Sequence, residues 1–150
     1  DIDFFVNSLK AFSNTSQRLQ LQPWINKSTV IDDSYNANPD SVKAAIDVLH
    51  EQTGRCILVL GDMKELGRYR KKLHQNIGAY AKTKKINLLI GFGDLARHAA
   101  SSFGPSGMFF SSKTELLAFL KGEVTRGDCI LIKGSRSMKM ETLINTGERA

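Results

Sequence analysis

The sequence predicts an α/β protein built on a mostly parallel sheet that is covered by helices on both faces. Short apolar runs alternate along the chain with stretches of helical periodicity, which is the pattern of successive strand–helix units. Residues 56–60 are all apolar, as expected of a strand buried on both sides. The 150 residues, 41% hydrophobic and 24% charged, suffice for one domain with its own core.

The first elements depart from this alternation. Residues 3–12 predict a short helix, because their phenylalanine and leucine residues share one face. Residues 18–22 alternate in the manner of an edge strand, and residues 28–32 predict a second strand. Asn26 and Lys27 lie between these strands, and they indicate a hairpin.

Regular strand–helix units follow. Pro39 opens a helix for which Asn38 is the expected N-cap. Helices are predicted over residues 39–50, 73–82, 94–102, 114–120 and 138–145, and strands over residues 55–60, 86–90, 108–110 and 129–132.

Ligands of open α/β sheets bind beyond the carboxyl ends of the strands, and the richest such segment is residues 32–39. It combines two adjacent aspartates with Tyr35, Asn36 and Asn38. A carboxylate here can accept hydrogen bonds from the vicinal hydroxyls of a ribose, and a carboxamide can pair with a purine edge. A turn with a helix cap would explain only Asn38 and Pro39.

A second polar segment, residues 133–137, lies between the last predicted strand and the last predicted helix. Lys133 and Arg136 supply cations, and Ser135 supplies a hydroxyl. Together with a helix N-terminus, these groups suit a carboxylate or a phosphate. The alternative interpretation is a loop whose cations face solvent.

The loop at residues 61–67 leaves two interpretations open. Asp62 and Glu65 can hold Mg²⁺ or a substrate amine there, or they can stabilise a turn and a nearby helix N-terminus.

Gly91, Gly93 and Ala96 match the G-x-G-x-x-A pattern of dinucleotide sites. Two strand–helix units precede them, whereas that fingerprint belongs to the first strand of a fold. A dinucleotide-binding module is therefore the minor alternative, and a tight turn with Asp94 capping a helix is the simpler interpretation.

Several classes of function are disfavoured. The sequence has no G-x-x-x-x-G-K-[ST] phosphate loop and no G-x-S-x-G nucleophile motif. Cys56 and Cys129 lie in apolar runs, which predicts buried reduced thiols and no metal site. Residues 64–85 carry eight cations against one acid. This charge predicts a solvated helix face, since a nucleic-acid surface would interleave more aromatic residues.

Three segments together resemble the Mur ligase family of ATP-dependent amide ligases: DDSYNANP at residues 32–39, GDMKELG at 61–67 and KGSRSMKME at 133–141. The set resembles the branch that adds D-alanyl-D-alanine to UDP-N-acetylmuramoyl-tripeptide in peptidoglycan precursor synthesis. Another Mur ligase or a folylpolyglutamate synthase would share the first segment alone. The resemblance implies that residues 19–150 form the C-terminal domain, a Rossmann-like sheet with one antiparallel edge strand. It assigns residues 1–18 to the end of the central domain and a linker.

The resemblance also implies roles for individual residues. Asp33 is expected to bind the ATP ribose, with Asn36 near the nucleoside and Arg18 reaching the ribose or a phosphate. Tyr35 and Asn38 are expected to support this ATP site. The residues expected to receive D-alanyl-D-alanine are Lys133, Ser135 and Arg136.

The family's division of labour assigns the phosphate loop and the Mg²⁺ ligands to the central domain, and UDP recognition to the N-terminal domain. This chain is therefore expected to hold no catalytic residue and no metal ligand, and to be inactive alone. Its expected partners are ATP, UDP-N-acetylmuramoyl-tripeptide, D-alanyl-D-alanine and its own two other domains, in the cytoplasm. Nucleic acid and a membrane span are not expected.

Overall fold

The computed structural model describes residues 19–149, the side chains of residues 148 and 149 excepted. The helix predicted over residues 3–12 and the linker residue Arg18 lie outside the described residues. None of the helices between residues 19 and 149 is long and apolar enough to cross a membrane.

The strands of the described chain form one six-stranded sheet in the order β1-β2-β6-β3-β4-β5. β1 pairs antiparallel with β2, and every other pair of neighbours is parallel. The predicted sheet, mostly parallel with an antiparallel edge strand, is therefore confirmed. The strands are β1 (Gln20–Trp24), β2 (Ser28–Asp33), β3 (Cys56–Gly61), β4 (Leu88–Phe92), β5 (Gly107–Phe110) and β6 (Cys129–Lys133).

Helices cover both faces of this sheet, as predicted. The helices are α1 (Pro39–His50), α2 (Arg70–Thr83), α3 (Ala96–Phe103), α4 (Lys113–Glu123) and α5 (Glu141–Arg149). Buried residues of α1, α2 and α3 pack on one face, with Ile31 and Leu131 of the sheet. Those of α4 and α5 pack on the other, with Val30 and Ile132. The two apolar layers hold the sheet between them by removing its strands from water.

The predicted hairpin between β1 and β2 is confirmed. Asn26 and Lys27 adopt left-handed backbone conformations, with φ of 54° and 62°, which reverse the chain between the two strands. β1 runs two residues beyond its predicted end and includes Pro23. A proline is tolerated there because β1 is an edge strand, where a missing N–H breaks no ladder.

Several further predicted boundaries were wrong by two or three residues. α2 begins at Arg70. The prediction missed its first turn because the exposed cations there carry no apolar periodicity. β4 extends to Phe92, and α3 begins only at Ala96. α5 begins at Glu141, because a 3-10 turn and the left-handed Lys139 (φ 49°) precede it. The segment at residues 133–137 therefore does not lead directly into a helix.

Candidate functional site

A cleft of about 340 Å³ opens beyond the carboxyl end of β2, beside the start of α1. Its volume lies in the lower part of the range for small-molecule pockets, roughly 300–1,000 Å³. Four of the five residues predicted for the ATP site line it, and the fifth, Arg18, lies outside the described residues. The lining consists of Leu19, Asp33, Tyr35, Asn36, Asn38, Ser41, Ala44 and Lys133.

Asp33 and Lys133 form a buried ion pair at the floor of this cleft. The Nζ atom of Lys133 lies 2.7 Å from Oδ2 of Asp33, and it also donates to the carbonyl of Asn36 at 2.9 Å. The two side chains are only 10% and 3% exposed. They meet because Asp33 and Lys133 are register partners at the ends of β2 and β6. Burial raises the pKa of Asp33, and the Lys133 ammonium opposes that rise.

The Asp33 carboxylate keeps acceptor capacity for a ligand. Oδ1 accepts one hydrogen bond, from the amide of Leu19 at 3.2 Å, and Oδ2 accepts one from Lys133. Each carboxylate oxygen can accept about two hydrogen bonds. The two neighbouring hydroxyls of a ribose match a pair of such oxygens.

Asn38 has a structural role at the mouth of the cleft. Its Oδ1 accepts the amide of Ser41 at 2.9 Å, and the Ser41 hydroxyl accepts the amide of Asn38 at 3.0 Å. This reciprocal arrangement is a capping box, so the predicted N-cap is confirmed. Tyr35, at the same mouth, is 40% exposed.

A second group of charges lies on the opposite face of the sheet. Successive residues of a strand point to opposite faces, so Asp32 belongs to the layer of α4 and α5. Burial raises the pKa of Asp32, two hydrogen bonds from Ser34 lower it, and the nearby charges of Glu141 and Arg136 act on it in opposite directions. Arg136 is paired with Glu141. We call Asp32, Arg136 and Glu141 the second-face cluster.

The three residues predicted for the dipeptide therefore lie in three different environments. Lys133 faces the cleft, and Arg136 belongs to the second-face cluster. Ser135 joins two loops: its amide donates to the carbonyl of Asp62 at 3.0 Å, and its hydroxyl accepts the amide of Lys64 at 2.7 Å. Their role toward a dipeptide stays a prediction.

The 61–67 loop holds Asp62 and Glu65 in different environments. Asp62 is buried, and its Oδ1 accepts the amide of Ala96 at 2.7 Å. It thus occupies the N-terminus of α3, as the turn interpretation has it. Glu65 is exposed and adopts a left-handed conformation, with φ of 62°. Among the described residues, no group of three or more His, Cys, Asp or Glu residues could hold a metal ion.

The G-x-G-x-x-A pattern does not form a dinucleotide site here. The amide of Ala96, which would face a pyrophosphate, already binds the Asp62 carboxylate. Gly93 has φ of +112° and lies so close to that carboxylate that a Cβ atom would overlap it. The prediction that Asp94 caps α3 was also wrong, because the carboxylate at the N-terminus of α3 is that of Asp62.

Cys56 and Cys129 are buried free thiols, as expected, and burial raises the pKa of Cys129 to about 12. The cations at the start of α2 are exposed, as predicted for a solvated face. Sequence reasoning missed Lys113, which contacts the segment that carries Arg136, because nothing in its local sequence distinguishes it from a surface lysine.

The topology and the cleft define an α/β domain whose candidate ligand site lies beyond the carboxyl ends of parallel strands. Comparison with known families assigns it further. The chain belongs to the family described as "Mur ligase, glutamate ligase domain", whose model matches residues 17–136. The family expected from the three sequence motifs is therefore confirmed.

Curated relatives come from distant bacteria. The UDP-N-acetylmuramoyl-tripeptide--D-alanyl-D-alanine ligase of Haemophilus influenzae is 40% identical over 121 residues, covering 77% of this chain and 26% of the relative. The ligase of the same name from Bacillus subtilis is 36% identical over 143 residues, covering 91% of this chain and 31% of the relative. The chain thus spans about a quarter to a third of the length of these relatives.

Solved structures agree in fold. A crystal structure of MurF from Acinetobacter baumannii superposes with a TM-score of 0.82 at 30% identity, over 92% of this chain and 32% of that one. MurF ligase from Thermotoga maritima, in complex with ADP, gives a TM-score of 0.77 at 23% identity, over 93% of this chain and 32% of that one.

Proposed function

We propose that this chain is the C-terminal domain of a cytoplasmic, ATP-dependent ligase that joins D-alanyl-D-alanine to UDP-N-acetylmuramoyl-tripeptide. Residues 19–150 make up the domain, and residues 1–18 the end of the central domain and the linker. The observation that carries the proposal is the cleft around Asp33, in a chain whose curated relatives bear the name of this ligase.

The proposed reaction forms an amide at the expense of ATP. The tripeptide carboxylate attacks the γ-phosphorus, which releases ADP and gives an acyl phosphate. The dipeptide amine, after losing a proton, attacks the acyl carbon, and the tetrahedral intermediate expels phosphate. Such phosphoryl transfer depends mainly on positioning and on neutralising charge. The Mg²⁺ that would help to neutralise the phosphates would be held by ligands in the central domain.

In this scheme the chain orients two of the three substrates. Asp33 accepts hydrogen bonds from the ribose hydroxyls of ATP, and Tyr35 and Asn36 border the nucleoside. Arg18 in the linker reaches the ribose or a phosphate. On the other face, Arg136 binds the dipeptide carboxylate, since a guanidinium can form two parallel bonds to it. Lys133 is buried against Asp33, which favours a part in the ATP site over the dipeptide role first expected of it.

Two variants of the full-length ligase test this division. Asp33→Asn keeps the size of the side chain but removes its charge, so kcat/KM for ATP should fall about tenfold or more, given that hydrogen bonds to charged groups contribute roughly 1.5–3 kcal/mol. Arg136→Lys keeps the charge but loses the planar fork, so KM for D-alanyl-D-alanine should rise with little change for ATP. Steady-state kinetics with each substrate varied in turn measures both effects.

The opposite selectivity would contradict the assignment of the two sites. An Arg136→Lys effect larger for ATP than for dipeptide would assign Arg136 to a phosphate. The 150-residue chain alone should show no dipeptide-dependent ATP hydrolysis, because it contains no phosphate-loop motif. Measurable turnover by that chain would refute its proposed part in the ligase.

A further inference from the structure

Lys113, the first residue of α4, makes contacts that the proposed function has not used. Its ammonium donates three hydrogen bonds, to the carbonyl of Met138 at 2.6 Å, the carbonyl of Lys139 at 3.0 Å and the hydroxyl of Thr142 at 3.1 Å. An ammonium has three N–H groups, so all of them are used. All three acceptors belong to the turn at residues 136–142, which carries Arg136 and Glu141.

That turn needs such support from outside. It consists of a short 3-10 segment, Arg136–Met138, followed by Lys139 in the left-handed region at φ 49°. A non-glycine residue in this conformation costs free energy, and helix α5 begins only at Glu141. The Lys113 ammonium binds the carbonyl oxygens on both sides of the Lys139 amide, and so stabilises the turn where its backbone is least regular.

The ammonium is itself held in a defined position. It lies 5.5 Å from the centroid of the Phe92 ring at the end of β4, within the range of a cation–π contact. Burial lowers the pKa of Lys113, the Glu141 charge opposes this, and the cations of Lys139 and Arg136 reinforce it. Lys113 therefore lies within the electrostatic reach of the second-face cluster.

We propose that Lys113 is a positioning residue of the dipeptide site: its three hydrogen bonds fix the turn at residues 136–142 and thereby orient the Arg136 guanidinium toward the carboxylate of the incoming D-alanyl-D-alanine. This inference rests on the proposed function, in which Arg136 binds that carboxylate. Lys113 does not touch the substrate in this scheme. A guanidinium displaced by a fraction of an ångström loses its bidentate alignment, so the effect is expected in dipeptide binding.

The test uses Lys113→Met in the full-length ligase, with Lys121→Met as the matched control. Lys121 is an exposed residue of the same helix, so its replacement should leave the kinetics unchanged. For Lys113→Met, KM for D-alanyl-D-alanine should rise about tenfold, while KM for ATP stays within about twofold of the native value. Hydrogen exchange at the amides of residues 138–143 should accelerate in the same variant and not in the control.

A milder variant keeps the test decisive if Lys113→Met folds poorly. Thr142→Val removes one of the three acceptors, together with a hydrogen bond to Lys139, and should raise KM for the dipeptide severalfold without affecting ATP. An unchanged KM for the dipeptide, or an equal rise for ATP and dipeptide, would overturn the inference. If the native enzyme ligates the dipeptide, either of these results overturns the role of Lys113 and leaves the proposed function standing. A native enzyme that does not use the dipeptide overturns the proposed function as well.

Discussion

Asp33 and Lys133 carry opposite charges at a point where almost no water reaches either side chain. Removing one partner of such a pair leaves the other as an uncompensated buried charge, which costs about 3–5 kcal/mol. Removing both costs far less, because neither charge then has to be desolvated.

This pair gives a prediction for stability. In the 150-residue chain, Lys133→Met should lower the free energy of unfolding by about 3–5 kcal/mol, and the double variant Asp33→Asn/Lys133→Met should recover most of the loss. Lys133→Met should lose more free energy of unfolding at pH 8 than at pH 5. An unpaired Asp33 becomes neutral only by taking up a proton, which is easier at pH 5. Urea unfolding at both pH values measures this. A double variant no more stable than the single one would refute the coupling.

Residue types and their order were enough to predict that Asp33 and its neighbours form a candidate site, and these residues do line a cleft. Adjacent carboxylates and carboxamides after an apolar strand have few purely structural explanations. The pairing of Lys133 with Asp33 could not be predicted in the same way. It depends on which strand lies next to β2, and on a register that aligns residues 100 positions apart in the chain.

Among the helices, α2 and α3 pack closely enough that a single methyl group matters. Gly78 of α2 faces α3, and a Cβ atom there would overlap the carbonyl oxygen of Ala99 and the hydroxyl of Ser102. Gly122 of α4 has nothing within 4 Å of the same position. Substitution of Gly78 therefore tests the packing between the helices, and substitution of Gly122 tests helix propensity alone.

Replacing these two helix glycines by alanine should change the stability of the chain in opposite directions. Gly122→Ala should stabilise the chain by about 0.5–1 kcal/mol, since alanine is the better helix former. Gly78→Ala should destabilise it by about 1–3 kcal/mol, because overpacking at a backbone carbonyl outweighs that gain. Thermal unfolding of both variants gives the comparison. Stabilisation by Gly78→Ala would mean that α2 and α3 separate at little cost.

Element types were predictable because the apolar periods are clear, whereas several ends were not. The first turn of α2 is exposed and cationic, so no hydrophobic signal marks its start. The delayed start of α5 follows from the left-handed Lys139, whose conformation is stabilised by Lys113 from a distant part of the sequence. A local pattern cannot contain that information.

For the molecule as a whole, the dependence of stability on pH reflects buried groups such as His74. His74 is fully buried, its Nδ1 donates to the carbonyl of Arg70 at 2.7 Å, and its Nε2 accepts the amide of Met63 at 3.0 Å. Both nitrogens are satisfied only in the neutral ring, and burial lowers the pKa of His74 below 6.5. The native state therefore resists protonation, while the unfolded chain accepts a proton.

Stability should consequently fall as the pH drops below 6.5, by up to about 1.4 kcal/mol per pH unit, until the native ring itself protonates. The raised pKa values of Asp32 and Asp33 act in the opposite sense, so the comparison must be with a variant. His74→Gln should lose this part of the pH dependence, and His50→Gln, on the exposed end of α1, should keep it. Identical pH profiles for the native chain and His74→Gln would contradict the assignment.

The alternation of side chains along β2 has a consequence for how such a domain can change over evolution. Asp32 and Asp33 are consecutive, yet one serves the second-face cluster and the other the cleft. Substitution can alter either group separately. Inserting or deleting one residue between Ser28 and Asp32 would shift the register and exchange the two faces, so that each aspartate would point to the face that the other now serves. The length of this strand should therefore be far less free to vary than its sequence.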